Sequence, residues 1–177
     1  MQREQFDQLL KRAAELCAAK DLVIFGSQSV HALTDRPPAE VLRSQECDIW
    51  LLEQPDLSAR ITAELGQKSA FAETTGVYAD PLPPDLPMVP KGWEERLVAY
   101  STGNVTARCL EIHDLIVSKL GAGRLKDYEF IAAVFTVKLA RPDEVIRRVQ
   151  TFPDPRTQAV LLARLRMATE AIGLRLT

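Results

Sequence analysis

The chain has 177 residues, 46% hydrophobic and 26% charged, with a formal net charge of −2. This is enough chain to bury an ordinary core, and no apolar run approaches the roughly eighteen residues of a membrane span. Cys17, Cys47 and Cys109 are odd in number and widely spaced, which excludes a disulfide framework or a zinc motif.

The first elements read clearly. Residues 3–19 carry Phe6, Leu9, Leu10, Ala13, Ala14 and Cys17 as one helical stripe. They are charged and amphipathic, without the apolar centre of a signal peptide, so a reducing cytoplasm is the expected compartment. Residues 22–25 are four apolar residues, a short buried strand. The strand runs into Gly26-Ser27, where a glycine lets the chain turn sharply and a ligand approach the backbone closely. Residues 28–33 should form a short helix whose N-terminal N–H groups suit an anion such as phosphate. Ser29 reads as a cap, and His31 as a packing histidine. Arg36-Pro37-Pro38 ends the helix.

A second strand is expected over 46–52. Period-2 alternation puts Glu46, Asp48 and Trp50 on one face and Cys47, Ile49 and Leu51 on the other. Two carboxylates so placed can hold a hard divalent cation, and Cys47 reads as buried. Residues 56–65 predict a helix stopped by Gly66. Residues 71–78 read as a returning strand that carries Glu73 toward the metal. Five prolines between Pro81 and Pro90 keep that segment out of a central sheet; it reads as a lid or a surface connection. Strands follow over 96–100 and 108–112, around the turn Thr102-Gly103-Asn104.

Residues 113–120 predict a helix, interrupted over Gly121 to Gly123, and residues 124–138 predict another. Asp127 suits the first turn of the latter electrostatically. The remainder is helical, with a stripe of Leu161, Leu165, Ala168 and Ile172 that serves as core or as the seam of a homodimer. Charge divides along the chain. Residues 1–118 carry 11 Lys/Arg against 18 Asp/Glu, and residues 119–177 carry 11 against 6. An acidic half and a basic half either bracket a metal and its phosphates or are two solvated surfaces.

Gly26-Ser27, Arg43-Ser44 and Glu46-Cys47-Asp48 together resemble the nucleotidyltransferase-like superfamily, and within it the small bacterial DUF6036-type proteins of unknown function. The stretches 71–80, 110–120 and 123–127 fit the same pattern, so the resemblance spans most of residues 20–135. One departure is visible. The superfamily's first carboxylate is an aspartate, and here Glu46 lengthens that arm.

The resemblance implies an α+β fold, a mixed sheet flanked by helices. Residues 1–120 would form the nucleotidyltransferase-like core, with a helical C-terminal part, 121–177, packed on it. It implies a metal-dependent nucleotidyltransferase in which Glu46 and Asp48 hold Mg²⁺ or Mn²⁺ and Gly26 and Ser27 hold the β- and γ-phosphates of an NTP. Lys119, Arg124 and Lys126 would lie near those phosphates. A third carboxylate would be Glu73 or Glu111. The acceptor is a small molecule, RNA or protein. The alternative is a binding module of the same fold with catalysis lost, acting on a partner protein or tRNA as in toxin–antitoxin and defence pairs. A structural domain that uses none of these residues is the third reading. No Walker loop, dinucleotide fingerprint or nucleophile elbow is present.

Overall fold

The structure is a computed structural model and describes residues 1–17, 21–51, 55–83 and 88–174. It divides into two compact units, Met1–Leu86 with Leu97–Leu110, and Pro87–Arg96 with Glu111–Thr177.

The first unit is a five-stranded mixed sheet with helices. Its elements are α1 (Arg3–Cys17), β1 (Asp21–Phe25), a 3-10 turn (Ser27–Ala32), α2 (Ala39–Leu42), β2 (Glu46–Trp50), α3 (Pro55–Leu65), α4 (Ala70–Thr75), β3 (Tyr78–Pro81), β4 (Val98–Thr102) and β5 (Val105–Cys109). The strand order is β3-β2-β1-β5-β4. β1 is antiparallel to β2 and parallel to β5, β3 runs parallel to β2, and β4 is antiparallel to β5.

Alternation decides which face is core. Leu22, Ile24, Cys47, Ile49, Ala79, Ala107 and Cys109 pack with Phe6, Leu9, Leu10 and Ala13 of α1 and Ile61 and Leu65 of α3. Burying each of the larger side chains is worth about 1.5–3 kcal/mol, so α1 is held by its apolar stripe. Val23 and Phe25 of β1 project from the opposite face, where Phe25 meets Trp50 edge-on at 6.1 Å between ring centroids. The carboxylates of β2 are on that face.

The stretch 71–78 departs from its expected strand. Ser69 caps α4, its Oγ accepting from the Ala72 N–H at 3.1 Å. Gly76, at φ 73°, ends the helix with its N–H donating to Ala72 O at 2.9 Å. Those two punctuation marks outweigh the β-branched residues between them, and the strand begins only at Tyr78. The hairpin turn at Gly103, φ 60°, is where the sequence places it, although β4 begins two residues later and β5 three residues earlier than expected.

The second unit holds a 3-10 turn (Trp93–Arg96), α5 (Ile112–Ala122), α6 (Leu125–Thr136), α7 (Pro142–Val149) and α8 (Pro155–Glu170). α5 continues through Gly121 and stops at Gly123, φ 64°, whose N–H donates to Lys119 O at 2.8 Å. Asp114 is fully buried and accepts from Arg96 Nε at 2.8 Å and Nη2 at 3.0 Å. Arg164 Nη1 donates to the Leu120 and Gly121 carbonyls at 2.6 and 2.7 Å, closing the end of α5. Leu161, Leu165 and Ala168 are buried, while Ile172 lies beyond the end of α8 and is 37% exposed. Among the described residues no helix is long and apolar enough to cross a membrane.

Candidate functional site

The acidic strand behaves as its alternation requires. Cys47 and Ile49 are fully buried, and Glu46, Asp48 and Trp50 are half-buried on the other face. Asp48 is the register partner of Phe25, the last residue of β1, so the Gly26 bend follows directly beside it. Gly26 has φ 68° and ψ −166°, a region essentially reserved for glycine. A Cβ built on Gly26 would lie 1.7 Å from Asp48 Oδ2 and 2.8 Å from its Cγ. The carboxylate is therefore seated against the α-carbon of the bend, and only the missing side chain makes room for it.

The chain after the bend is a six-residue 3-10 turn that starts at Ser27, tighter than the α-helical turn the sequence suggests. Gln28, 1% exposed, donates from Nε2 to the Ser44 and Glu46 carbonyls at 3.2 Å each. Ser29 does not cap: its hydroxyl donates to Ile24 O at 2.9 Å. His31 is 3% exposed, stacks on Phe6 at 5.1 Å between ring centroids and sets Nε2 3.3 Å from Met1 O. It is the packing histidine expected.

β3 adds a carboxylate that sequence reasoning missed. Its parallel register puts Asp80 beside Asp48 and Tyr78 beside Glu46. Tyr78 Oη donates to Glu46 Oε2 at 3.4 Å. Burial and the nearby Glu46 charge raise the Asp80 carboxyl above its ordinary value. Burial first, then Glu46, Asp80 and Asp48, raise the Tyr78 phenol. Three carboxylates thus share one sheet face over two adjacent strands. Among the described residues, no three His, Cys, Asp or Glu side chains stand as a ready-made metal cluster. The side that Asp80 faces was legible in principle. Val77 and Ala79 are the buried alternates of this strand, which turns Tyr78 and Asp80 the other way.

Glu73 lies exposed on the first turn of α4, not on the expected strand, because Ser69 and Gly76 bracket a helix there. Glu111 is occupied as the N-cap of α5. Its Oε2 accepts from the His113 and Asp114 N–H groups at 3.0 and 3.3 Å, and its Oε1 lies 2.6 Å from His113 Nδ1. Burial pushes the Glu111 carboxyl up, but these hydrogen bonds and His113 outweigh it and hold it low.

The basic residues belong to the second unit. Lys119 is 8% exposed, with Nζ 3.3 Å from Asp127 Oδ1 and 4.4 Å from the centroid of the Phe130 ring. Arg124 Nε donates to Asp127 Oδ2 at 2.8 Å. Asp127, fully buried, also accepts from the Arg124 N–H at 3.2 Å and so caps α6 as expected. Burial raises its carboxyl, and Arg124 and Lys119 more than reverse that. Lys119 and Arg124 therefore converge on Asp127, whereas Lys126 is exposed on α6. Cys47 is buried on the core face, as expected, and burial first, then Asp48, push its thiol up.

No curated protein and no solved structure matches the chain. A family model does match, over residues 4–149, and its description is a nucleotidyltransferase of unknown function. The chain belongs to that family, DUF6036.

Proposed function

We propose that the chain transfers a nucleotidyl group from an NTP to an acceptor hydroxyl, at the face that carries Glu46, Asp48 and Asp80. The observation that supports this most is the seating of Asp48 against Gly26. It brings the cation-holding strand and the turn that would meet phosphate within one contact of each other.

The donor set suits a hard cation. Glu46, Asp48 and Asp80 offer carboxylate oxygens only, the chemistry that Mg²⁺ and Mn²⁺ prefer. When bound, the ion would supply positive charge against the attacking and leaving oxygens. The chain's own residues do the rest. Gly26 presents backbone with no side chain in the way, and Ser27 follows with an N–H and a hydroxyl for phosphate oxygens. The acceptor oxygen attacks the α-phosphorus, and a new P–O bond forms. The bond to the bridging oxygen breaks and pyrophosphate leaves with that electron pair. Asp80, its carboxyl raised by burial and Glu46, takes the hydroxyl proton. Lys119, Arg124 and Lys126 are included as phosphate contacts on the strength of the sequence resemblance alone.

One feature favours a second reading, a binding module of this fold with catalysis lost: Glu46 stands where the superfamily's first carboxylate is an aspartate. The two readings separate in one experiment. The chain and its Asp48→Asn variant are incubated with each labelled NTP, Mg²⁺ or Mn²⁺, and cellular RNA or protein. Label transfer that disappears in the variant supports the transferase. No transfer by the wild type, with binding to a protein or RNA partner unaltered in the variant, supports the module.

A further inference from the structure

The last helix, α8, is apolar on two faces. Leu161, Leu165 and Ala168 are buried, so the core takes up most of the stripe that the sequence offers as core or seam. The opposite face carries Ala159, Val160, Ala163 and Met167, all exposed, with Val160 at 49% and Met167 at 61%. A helix that packs one face on a core ordinarily turns charged and polar residues to the other.

The charges on this outer face are ordered. Arg156, Ala163 and Glu170 follow one another at intervals of seven residues, and a helix drifts only about 20° over seven. All three therefore fall on one line along α8, with Arg156 in its first turn and Glu170 at its end. Both charged side chains are exposed, and neither forms an ion pair among the described residues. Laid antiparallel against a copy of itself about Ala163, this line is its own complement. Arg156 of each copy would meet Glu170 of the other, at both ends of the contact. The same symmetry would set Met167 over the small Ala159, and Val160 along the stem of Arg166. Ala163, at the centre, lets the two helices approach closely. Laid parallel, arginine would meet arginine and glutamate would meet glutamate, which is repulsive.

We propose that the outer face of α8 is an interface for a second copy of this chain, two antiparallel α8 helices related by a two-fold axis at Ala163. The proposal is independent of the nucleotide-transfer reading. A sixteen-residue helix is about 24 Å long, and one such pair covers less than the roughly 1,600 Å² of a standard interface. The dimer accordingly forms at roughly micromolar concentration or above.

Sedimentation equilibrium of the full chain tests this from about 1 µM to about 1 mM, the range of weak association. Arg156→Glu, Glu170→Arg and Met167→Glu are measured beside the wild type. A glutamate in the first turn and an arginine in the last both suit the helix dipole, so neither reversal weakens α8 itself; thermal unfolding at the lowest concentration checks this. The wild type should dimerise reversibly. Each reversal alone sets like charges together at both ends and should raise the dissociation constant roughly tenfold. Met167→Glu should raise it at least as much, by burying a carboxylate against Ala159. An equimolar mixture of Arg156→Glu and Glu170→Arg should dimerise at least as well as the wild type. In that pair one copy offers only carboxylates and the other only guanidinium groups, opposite each other at both ends. A wild type that stays monomeric throughout overturns the proposal, as does a dimer indifferent to Met167→Glu or to either reversal. A dimer that the reversals weaken and the mixture does not restore overturns it too, because the pairing is then not antiparallel about Ala163.

Discussion

Gly26→Ala tests the contact on which the site is built. The substitution introduces two separable costs. The first is backbone: φ 68° with ψ −166° is a region in which a non-glycine residue costs about 1–3 kcal/mol. The second is steric, since the new Cβ would fall 1.7 Å from Asp48 Oδ2 and the carboxylate must leave its place. Moving a side chain off its rotamer costs about 0.5–1.5 kcal/mol, so the total is about 1.5–4.5 kcal/mol. Gly76→Ala is the control: it also has positive φ, 73°, but a Cβ there meets nothing within 4 Å, so it incurs only the backbone cost of about 1–2 kcal/mol. Urea denaturation of Gly26→Ala, Asp48→Ala and the double variant then isolates the contact. In the Asp48→Ala background, Gly26→Ala should be cheaper by about 1 kcal/mol, the rotamer cost no longer incurred. Metal-dependent nucleotide binding should be lost in Gly26→Ala and kept in Gly76→Ala. A Gly26→Ala variant no less stable than Gly76→Ala, with no coupling to position 48, would refute the seating of the carboxylate on the bend.

Other expectations follow from the same geometry. Asp80→Asn should abolish label transfer, whereas Glu73→Gln and Glu111→Gln should leave it intact; transfer lost with Glu73→Gln and kept with Asp80→Asn would reverse the assignment. Asp80 should titrate above its ordinary value of 3.8 in a carboxyl NMR titration, and Glu46→Gln should bring the midpoint down by removing a neighbouring negative charge. Asp127→Ala removes a fully buried partner of Lys119 and should destabilise the second unit by about 3 kcal/mol or more, read by hydrogen exchange across α5 and α6. Because the folded Asp127 carboxyl sits below its ordinary 3.8, its stabilising contribution is complete above that value. It should fade only as pH falls through the lower folded one. Unchanged acid unfolding in Asp127→Asn would refute that assignment.

The acidic strand was legible in the sequence because its evidence is local. Cys47 and Ile49 are apolar, Glu46 and Asp48 are not, and a period of two places them without knowledge of any neighbour. Asp80 was not legible in this way. Its importance comes from a parallel register with Asp48, a pairing across more than thirty residues of chain that no local pattern encodes. The Phe71-to-Val77 run drew the strand too early, although Ser69 and Gly76 mark the helix that occupies it. The resemblance placed Lys119 near phosphates; its contact with Asp127 lies across the break at Gly123, where no helical spacing shows it.

The Gln28 amide has a consequence for how this protein can vary. It grips two carbonyls at the start of β2, and the β1–β2 ladder fixes the rest of the spacing. The gap between the bend and the acidic strand is thus gauged from inside, independently of the connection over residues 33–43. Related chains can lengthen or shorten that connection and keep the same aperture. A glutamate at position 28 would set oxygen against oxygen and lose it.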